Sequence, residues 1–215
     1  MRTRTLFAAI GVIGALGLAA MPGTARAQLF DPSNWSFENG LTNWTVYEPT
    51  NAISVSTNYA RTGANSLLFA TTSSPVRVQY DVSSEGGVDV GLPYTGSVYY
   101  YVSAGLLTNE LIEVNMTFFD AAWSPLGTTV KDIVWGPAPG YADEAIVGSW
   151  TRLEVSGTAP LGAAGIQLGM QVYGTGSSVY FDDVQVIPEP ASWFLILGSV
   201  GGLAFIRRRL HGLRR

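Results

Sequence analysis

The chain has 215 residues, 47% of them hydrophobic, no cysteine and a single histidine, His211. Without cysteine it cannot rely on disulfides, and with its one histidine five residues from the end its body has none for a hydrolase triad, an imidazole base or a zinc site. The net charge of −4 is unevenly spread: all 16 acidic residues fall within 28–190, against only Arg61, Arg77, Lys131 and Arg152, so this span carries −12 and excludes a nucleic-acid partner.

Residues 1–27 open with Arg2 and Arg4, continue with LFAAIGVIGALGLAA and end at Ala25-Arg26-Ala27. A basic head, a short apolar run and a small-x-small site are the pattern of a secretory signal peptide. From 28 to 187 the sequence is β-like, with short Val-, Tyr-, Thr- and Phe-rich runs punctuated by Gly, Pro, Asn and Ser. Strands are predicted over 44–48, 52–57, 66–72, 76–82, 96–104, 111–120, 150–157, 164–174 and 178–187.

Two of these runs alternate cleanly. Ile112, Val114, Met116 and Phe118 oppose Glu113, Asn115, Thr117 and Phe119, while Ile166, Leu168, Met170 and Val172 oppose Gln167, Gly169, Gln171 and Tyr173. A period of two predicts one buried and one solvated face, as in antiparallel sheets. About nine strands with no long helical pattern predict an all-β, two-sheet antiparallel sandwich. The stretch 120–149 is the least regular, with a hairpin turn expected at Ser124-Pro125, a strand near 128–135 and a long loop around 137–140.

Beyond the body, residues 191–206 are 16 uncharged positions followed by Arg207, Arg208 and Arg209. As a helix this run would span about 24 Å, short for a bilayer core of about 30 Å. It therefore suits a transient or processed membrane anchor whose arginines stay on the cytoplasmic side.

Four motifs then fall in order: NWSFENG at 34–40, YARTGANSL at 59–67, GSWTRLEVSGTAP at 148–160 and VYFDDVQV at 179–186. Together they resemble carbohydrate-binding modules of the family 4 and 9 type, within the galactose-binding-like jelly-roll class. The resemblance spans about 34–187. It implies a jelly-roll sandwich and a structural calcium ion, with Glu38 and Asp182 as carboxylate ligands. Thr62, Asn65 and the Ser36 carbonyl would supply further oxygens. Calcium accepts such a set, six to eight oxygens without His or Cys. A jelly roll is also expected to bring its first and last strands together, so that one ion could staple the ends of the body. The plain alternative is a solvated turn carboxylate at Glu38 and a strand-end cap at Asp182.

Modules of this class bind glycans on a concave sheet face or at loop tips, through aromatic faces beside amide and carboxylate hydrogen bonds. The corresponding outward set here is Gln79, Tyr99, Tyr101, Asn115, Gln167, Gln171 and Tyr173, with Trp123 and Trp135 as possible platforms. Tyrosines and glutamines are equally ordinary on a solvated β face, so a purely structural matrix protein of the same fold stands as the alternative. A polysaccharide-active enzyme is a third reading. Paired acids such as Glu110 and Glu113 would point to opposite faces of one strand, which disfavours paired-carboxylate glycosidase chemistry.

Finally, Pro188-Glu189-Pro190, the glycine-containing apolar span and the Arg207–Arg209 stop resemble the PEP-CTERM sorting signal of Gram-negative bacteria. That resemblance implies recognition by exosortase and an inner-membrane precursor. It also implies delivery to the cell surface or to a biofilm or other extracellular matrix rich in exopolysaccharide. The two prolines are expected to keep the processing site extended and free of sheet pairing.

Overall fold

The computed structural model describes residues 34–47, 52–70, 75–83, 88–104, 106, 110–137, 144–174 and 176–189. The segment 1–27, Pro190, the run 191–206 and Arg207, Arg208 and Arg209 lie outside the described residues. Among those described, no helix is long and apolar enough to cross a membrane.

Ten strands follow one another: β1 (Trp44–Val46), β2 (Ile53–Ser56), β3 (Ser66–Ala70), β4 (Val76–Ser83), β5 (Pro93–Val102), β6 (Leu111–Phe119), β7 (Pro125–Trp135), β8 (Thr151–Thr158), β9 (Gly165–Tyr173) and β10 (Ser178–Pro188). They form two five-stranded sheets, ordered β1-β4-β9-β6-β7 and β2-β3-β10-β5-β8. Every named pairing is antiparallel. The fold class is the expected two-sheet jelly-roll sandwich.

The core lies between the sheets and follows the alternation. Ile112, Val114 and Met116 of β6 and Leu168 and Met170 of β9 are buried with Tyr100, Leu153 and Phe181 of the second sheet. Each such side chain contributes about 1.5–3 kcal/mol on burial, which is how a chain without disulfides holds together. Across the sandwich from β9, Gly96 leaves no room for a side chain: a Cβ there would lie 2.6 Å from Leu168 Cδ1. Only glycine fits there without displacing the core.

Four expectations need correction. The outer faces of β6 and β9 are not freely solvated: Glu113, Asn115, Thr117 and Gln171 are all buried. The first and last strands are not neighbours, since β1 pairs with β4 in one sheet and β10 lies between β3 and β5 in the other. It is the segment before β1 that meets β10, where the Val184 N–H donates to Trp35 O at 3.0 Å. The hairpin turn spans 120–124, and Pro125 already begins β7, because its missing N–H costs nothing at a strand's first position.

The fourth correction concerns the sorting motif. Pro188 is the last residue of β10, paired with Tyr94. The Glu189 N–H donates to Pro93 O at 2.9 Å, and its Oε1 accepts from Thr95 Oγ1 at 2.7 Å. A proline tolerated at a strand terminus leaves its carbonyl and the following amide free to pair, so the sheet runs up to Glu189.

Candidate functional site

Two assemblies of polar side chains stand out. The first is the junction around the turn Arg61–Asn65. Asp182 is 0% exposed. Its Oδ2 accepts from the N–H groups of Arg61 (2.7 Å) and Thr62 (3.1 Å), and its Oδ1 from Asp183 N–H (2.8 Å). Glu38 grips the other end of the turn, its Oε1 accepting from the N–H groups of Ala64 (2.9 Å) and Asn65 (2.8 Å). Gly63 sits at φ 65° with a notional Cβ only 2.4 Å from Glu38 Oε1, so glycine is required both for the turn and for the carboxylate's approach. Asp183 pairs with Arg61 and accepts from the Thr62 hydroxyl.

Burial pushes the Asp182 carboxyl up to about 6, a change to which the neighbouring Asp183 charge adds and which its three backbone N–H bonds oppose. Two non-glycine residues beside the acids, Phe37 and Asp183, adopt left-handed backbone angles of 58° and 50°. Local strain of this kind persists only where surrounding contacts impose it. Thus Glu38, Thr62, Asn65 and Asp182 meet around one turn, with Ser36 two residues before Glu38 in the chain. The acids do not converge on a point, however: among the described residues no group of three or more acidic or histidine side chains could hold a metal. The donor types suit calcium. An ion here would take its remaining ligands from hydroxyl, amide and backbone oxygens.

The second assembly is the outer face of the first sheet. Strand pairing lines up Thr45, Gln79, Gly169, Asn115 and Lys131 in one row across the five strands. The next row holds Arg77, Gln171, Glu113 and Ile133, and on the other side lie Asp81, Gln167 and Thr117. Glu113, 3% exposed, organises the centre. Its Oε1 accepts from Asn115 Nδ2 (2.9 Å) and Gln171 Nε2 (3.4 Å), and its Oε2 from Lys131 Nζ (3.1 Å). Gln171 Oε1 in turn accepts from the Tyr173 hydroxyl at 2.9 Å. Gln167 donates to Asp81 Oδ1 at 2.6 Å, and Thr117 bonds Thr129 at 2.8 Å.

Two features make this face more than a decorated sheet. Gly169 leaves a gap in the central row, and Asn115 leans across it, its Oδ1 2.6 Å from where a Cβ would stand. Across that gap Gln79 is only 7% exposed, yet among the described residues its amide has no hydrogen-bond partner. Its amide atoms are not among the fully enclosed polar atoms, so they keep a narrow opening to solvent through which an incoming polar group could bond them. Aromatic rings flank the polar floor. Tyr47 lies under the Arg77 guanidinium at 4.2 Å, Tyr173 stands at one end of the face, and Phe119 packs on Trp123 at the other, with centroids 5.5 Å apart. Eight residue steps along β6 lead from Leu111 to Phe119, so the face runs about 26 Å along the strands.

Five members of the expected glycan set therefore share this face: Gln79, Asn115, Gln167, Gln171 and Tyr173. Tyr99 and Tyr101 do not. They stand on β5 in the other sheet, where the segment leading into the Arg61–Asn65 turn folds over them. Tyr59 stacks on Tyr101 at 4.5 Å and meets Tyr180 edge-on at 4.8 Å, and Arg61 lies 3.6 Å over the Tyr99 ring. These tyrosines seat the loop that the two carboxylates hold. Glu113, Arg77, Lys131 and Tyr47 were not in the expected set. The phase of β6 placed Glu113 on this face from the outset.

No protein-family model and no curated relative matches the chain. Solved structures do. A xylan-binding family 22 module from Paenibacillus barcinonensis Xyn10C aligns with TM-score 0.54 and 18% identity, over 78% of this chain and 97% of that one. TmCBM61, solved in complex with β-1,4-galactotriose, aligns with TM-score 0.51 and 16% identity, over 73% and 97%. A family 16 carbohydrate-binding module aligns with TM-score 0.50 and 14% identity, over 72% and 96%. The chain has the β-sandwich fold of these carbohydrate-binding modules.

Proposed function

We propose that the body of this protein is a non-catalytic module that binds a polysaccharide chain along the outer face of the β1-β4-β9-β6-β7 sheet. The observation that carries the proposal is the Gln79 side chain, only 7% exposed and without a hydrogen bond among the described residues, its amide opening beside the Gly169 gap. Facing it across the gap, Asn115 is held in place by Glu113. Sugar hydroxyls both donate and accept, as do these amides, and the flanking rings suit the apolar C–H side of a pyranose. Lys131 and Gln171 fix the Glu113 carboxylate, so the polar floor is ordered before ligand arrives, which lowers the entropic cost of binding. The galactotriose and xylan named for two similarly folded modules support a glycan as the ligand class.

The terminal motifs support the accompanying reading of an exported, exosortase-sorted protein of the cell surface or extracellular matrix, held through 191–206 as a membrane precursor. Calcium at the Glu38–Asp182 junction belongs to the same proposal. Three acids there face one arginine, and a cation would offset the burial of Asp182.

Affinity electrophoresis on a panel of neutral and acidic polysaccharides tests the glycan reading. Retardation on at least one, lost in Gln79→Ala with an unchanged melting temperature, is expected. A folded protein retarded by none of them favours a purely structural matrix role, and release of reducing ends from the panel would mean an enzyme.

A further inference from the structure

The sandwich has two loop-bearing ends, and among the described residues four large apolar side chains are exposed at one of them, against Ile146 and Val147 at the other. At the end where β10 finishes, three loops are knit together by backbone bonds. Gly91 N–H donates to Ala159 O (2.8 Å), Ala159 N–H to Leu92 O (2.9 Å) and Ala164 N–H to Phe119 O (2.8 Å). These loops carry Val90, Trp123 and Leu161, all exposed, and Ile187 near the end of β10 is exposed as well. Leu161 is 89% exposed, an unusual position for leucine.

Trp123 is not there by default. It sits at the tip of the β6–β7 hairpin with φ 60°, a left-handed angle that a bulky residue adopts only at a cost. Asp120 enforces it: its Oδ1 accepts from the N–H groups of Ala122 (2.9 Å) and Ser124 (2.8 Å), and its carbonyl from Trp123 N–H (3.0 Å). Glycine or asparagine would form this turn with less strain. The strain is spent on presenting an indole to the outside.

The covalent chain says what this end meets. Glu189 is fastened to β5 by two hydrogen bonds, and only Pro190 separates it from the uncharged run 191–206. Two residues of fully extended chain reach about 7 Å. Any bilayer that accepts 191–206 must therefore lie against this end of the sandwich. We infer that Val90, Trp123, Leu161 and Ile187 form a membrane-contacting rim that docks the body onto the bilayer carrying its own C-terminal segment. A tryptophan and isolated aliphatic side chains suit the interfacial zone, where the indole keeps its N–H in the headgroup layer. Asp89, Asp120 and Glu189 lie at the same end and select zwitterionic over anionic lipid. The inference rests on 191–206 entering a bilayer, as proposed above.

The absence of cysteine makes the test direct. Leu161→Cys and, at the opposite end, Ile146→Cys are each labelled in the full chain with an environment-sensitive fluorophore. Each is then reconstituted into phosphatidylcholine vesicles containing a spin-labelled quencher lipid. The label at 161 is expected to shift to the blue and be quenched, while the label at 146 reports water. A chain that floats with the vesicles but gives the same aqueous spectrum at both positions overturns the rim. A chain that does not float at all overturns the bilayer reading of 191–206 instead, and the rim with it. Trp123→Ser combined with Val90→Ser should return the 161 label toward water without releasing the chain from vesicles.

Discussion

Asp182 makes a prediction that runs against the usual behaviour of carboxylates in folded proteins. Its carboxyl is raised from 3.8 to about 6, chiefly by burial. Between those values the folded protein holds a proton that the unfolded chain has already released. Stability in the absence of calcium therefore falls as pH rises through this window and stays low above it. The gap of about two units corresponds to at most about 3 kcal/mol, since one unit is about 1.4 kcal/mol. Urea unfolding followed by intrinsic fluorescence at pH 4, 5, 6 and 7 in the presence of EGTA measures it directly. Repeating the series in millimolar calcium should flatten or reverse the slope, because a bound cation favours the ionised form. Stability that rises steadily from pH 4 to pH 7 in EGTA would refute the account of Asp182 as a buried, undercompensated carboxylate. An Asp182→Asn variant sharpens the result. It should lose the pH slope, at an overall cost of about 1–3 kcal/mol because one of its amide atoms now faces the Arg61 and Thr62 N–H donors.

Chelation should lower the melting temperature of the chain at pH 7, and Glu38→Ala should both destabilise the protein and remove that sensitivity; equal melts with and without EGTA exclude the ion. Gln79→Ala removes an amide with no hydrogen bond among the described residues, so its unfolding free energy should change by no more than about 1 kcal/mol while polysaccharide affinity falls tenfold or more by affinity electrophoresis. Glu113→Gln should cost about 1–3 kcal/mol in urea unfolding, because its amide cannot accept from Asn115, Gln171 and Lys131 at once. Gly169→Ala places a methyl 2.6 Å from Asn115 Oδ1, at the end of a side chain that can swing away. Binding should drop sharply there with the fold retained, and unchanged affinity would remove the central row from the site.

The sequence announced the sandwich through alternation, because a half-buried strand writes its two faces in successive residues. That same signal has a limit, and Tyr99 and Tyr101 show where it falls. Alternation says that they point away from the core, but not from which sheet. That depends on β5 lying between β10 and β8, a matter of long-range pairing with no local trace. The ring contacts of Tyr59 and Arg61 were hidden for the same reason, since a loop's resting place is a tertiary fact. Glu113 was legible as an outward residue and still missed as a site residue, because an isolated acid carries no signature. Its significance comes from Lys131, Asn115 and Gln171, two of them on neighbouring strands. The acids at 38 and 182 were found by motif, and their common partner, the Arg61–Asn65 turn, lay within the same motif set. The expected route, through paired terminal strands, was wrong. The contact is made by the segment before β1, which carries the chain across from one sheet to the other. Residue type and spacing thus identified which groups meet at the junction, while the order of strands decided how they meet and which of the outward residues could share a ligand.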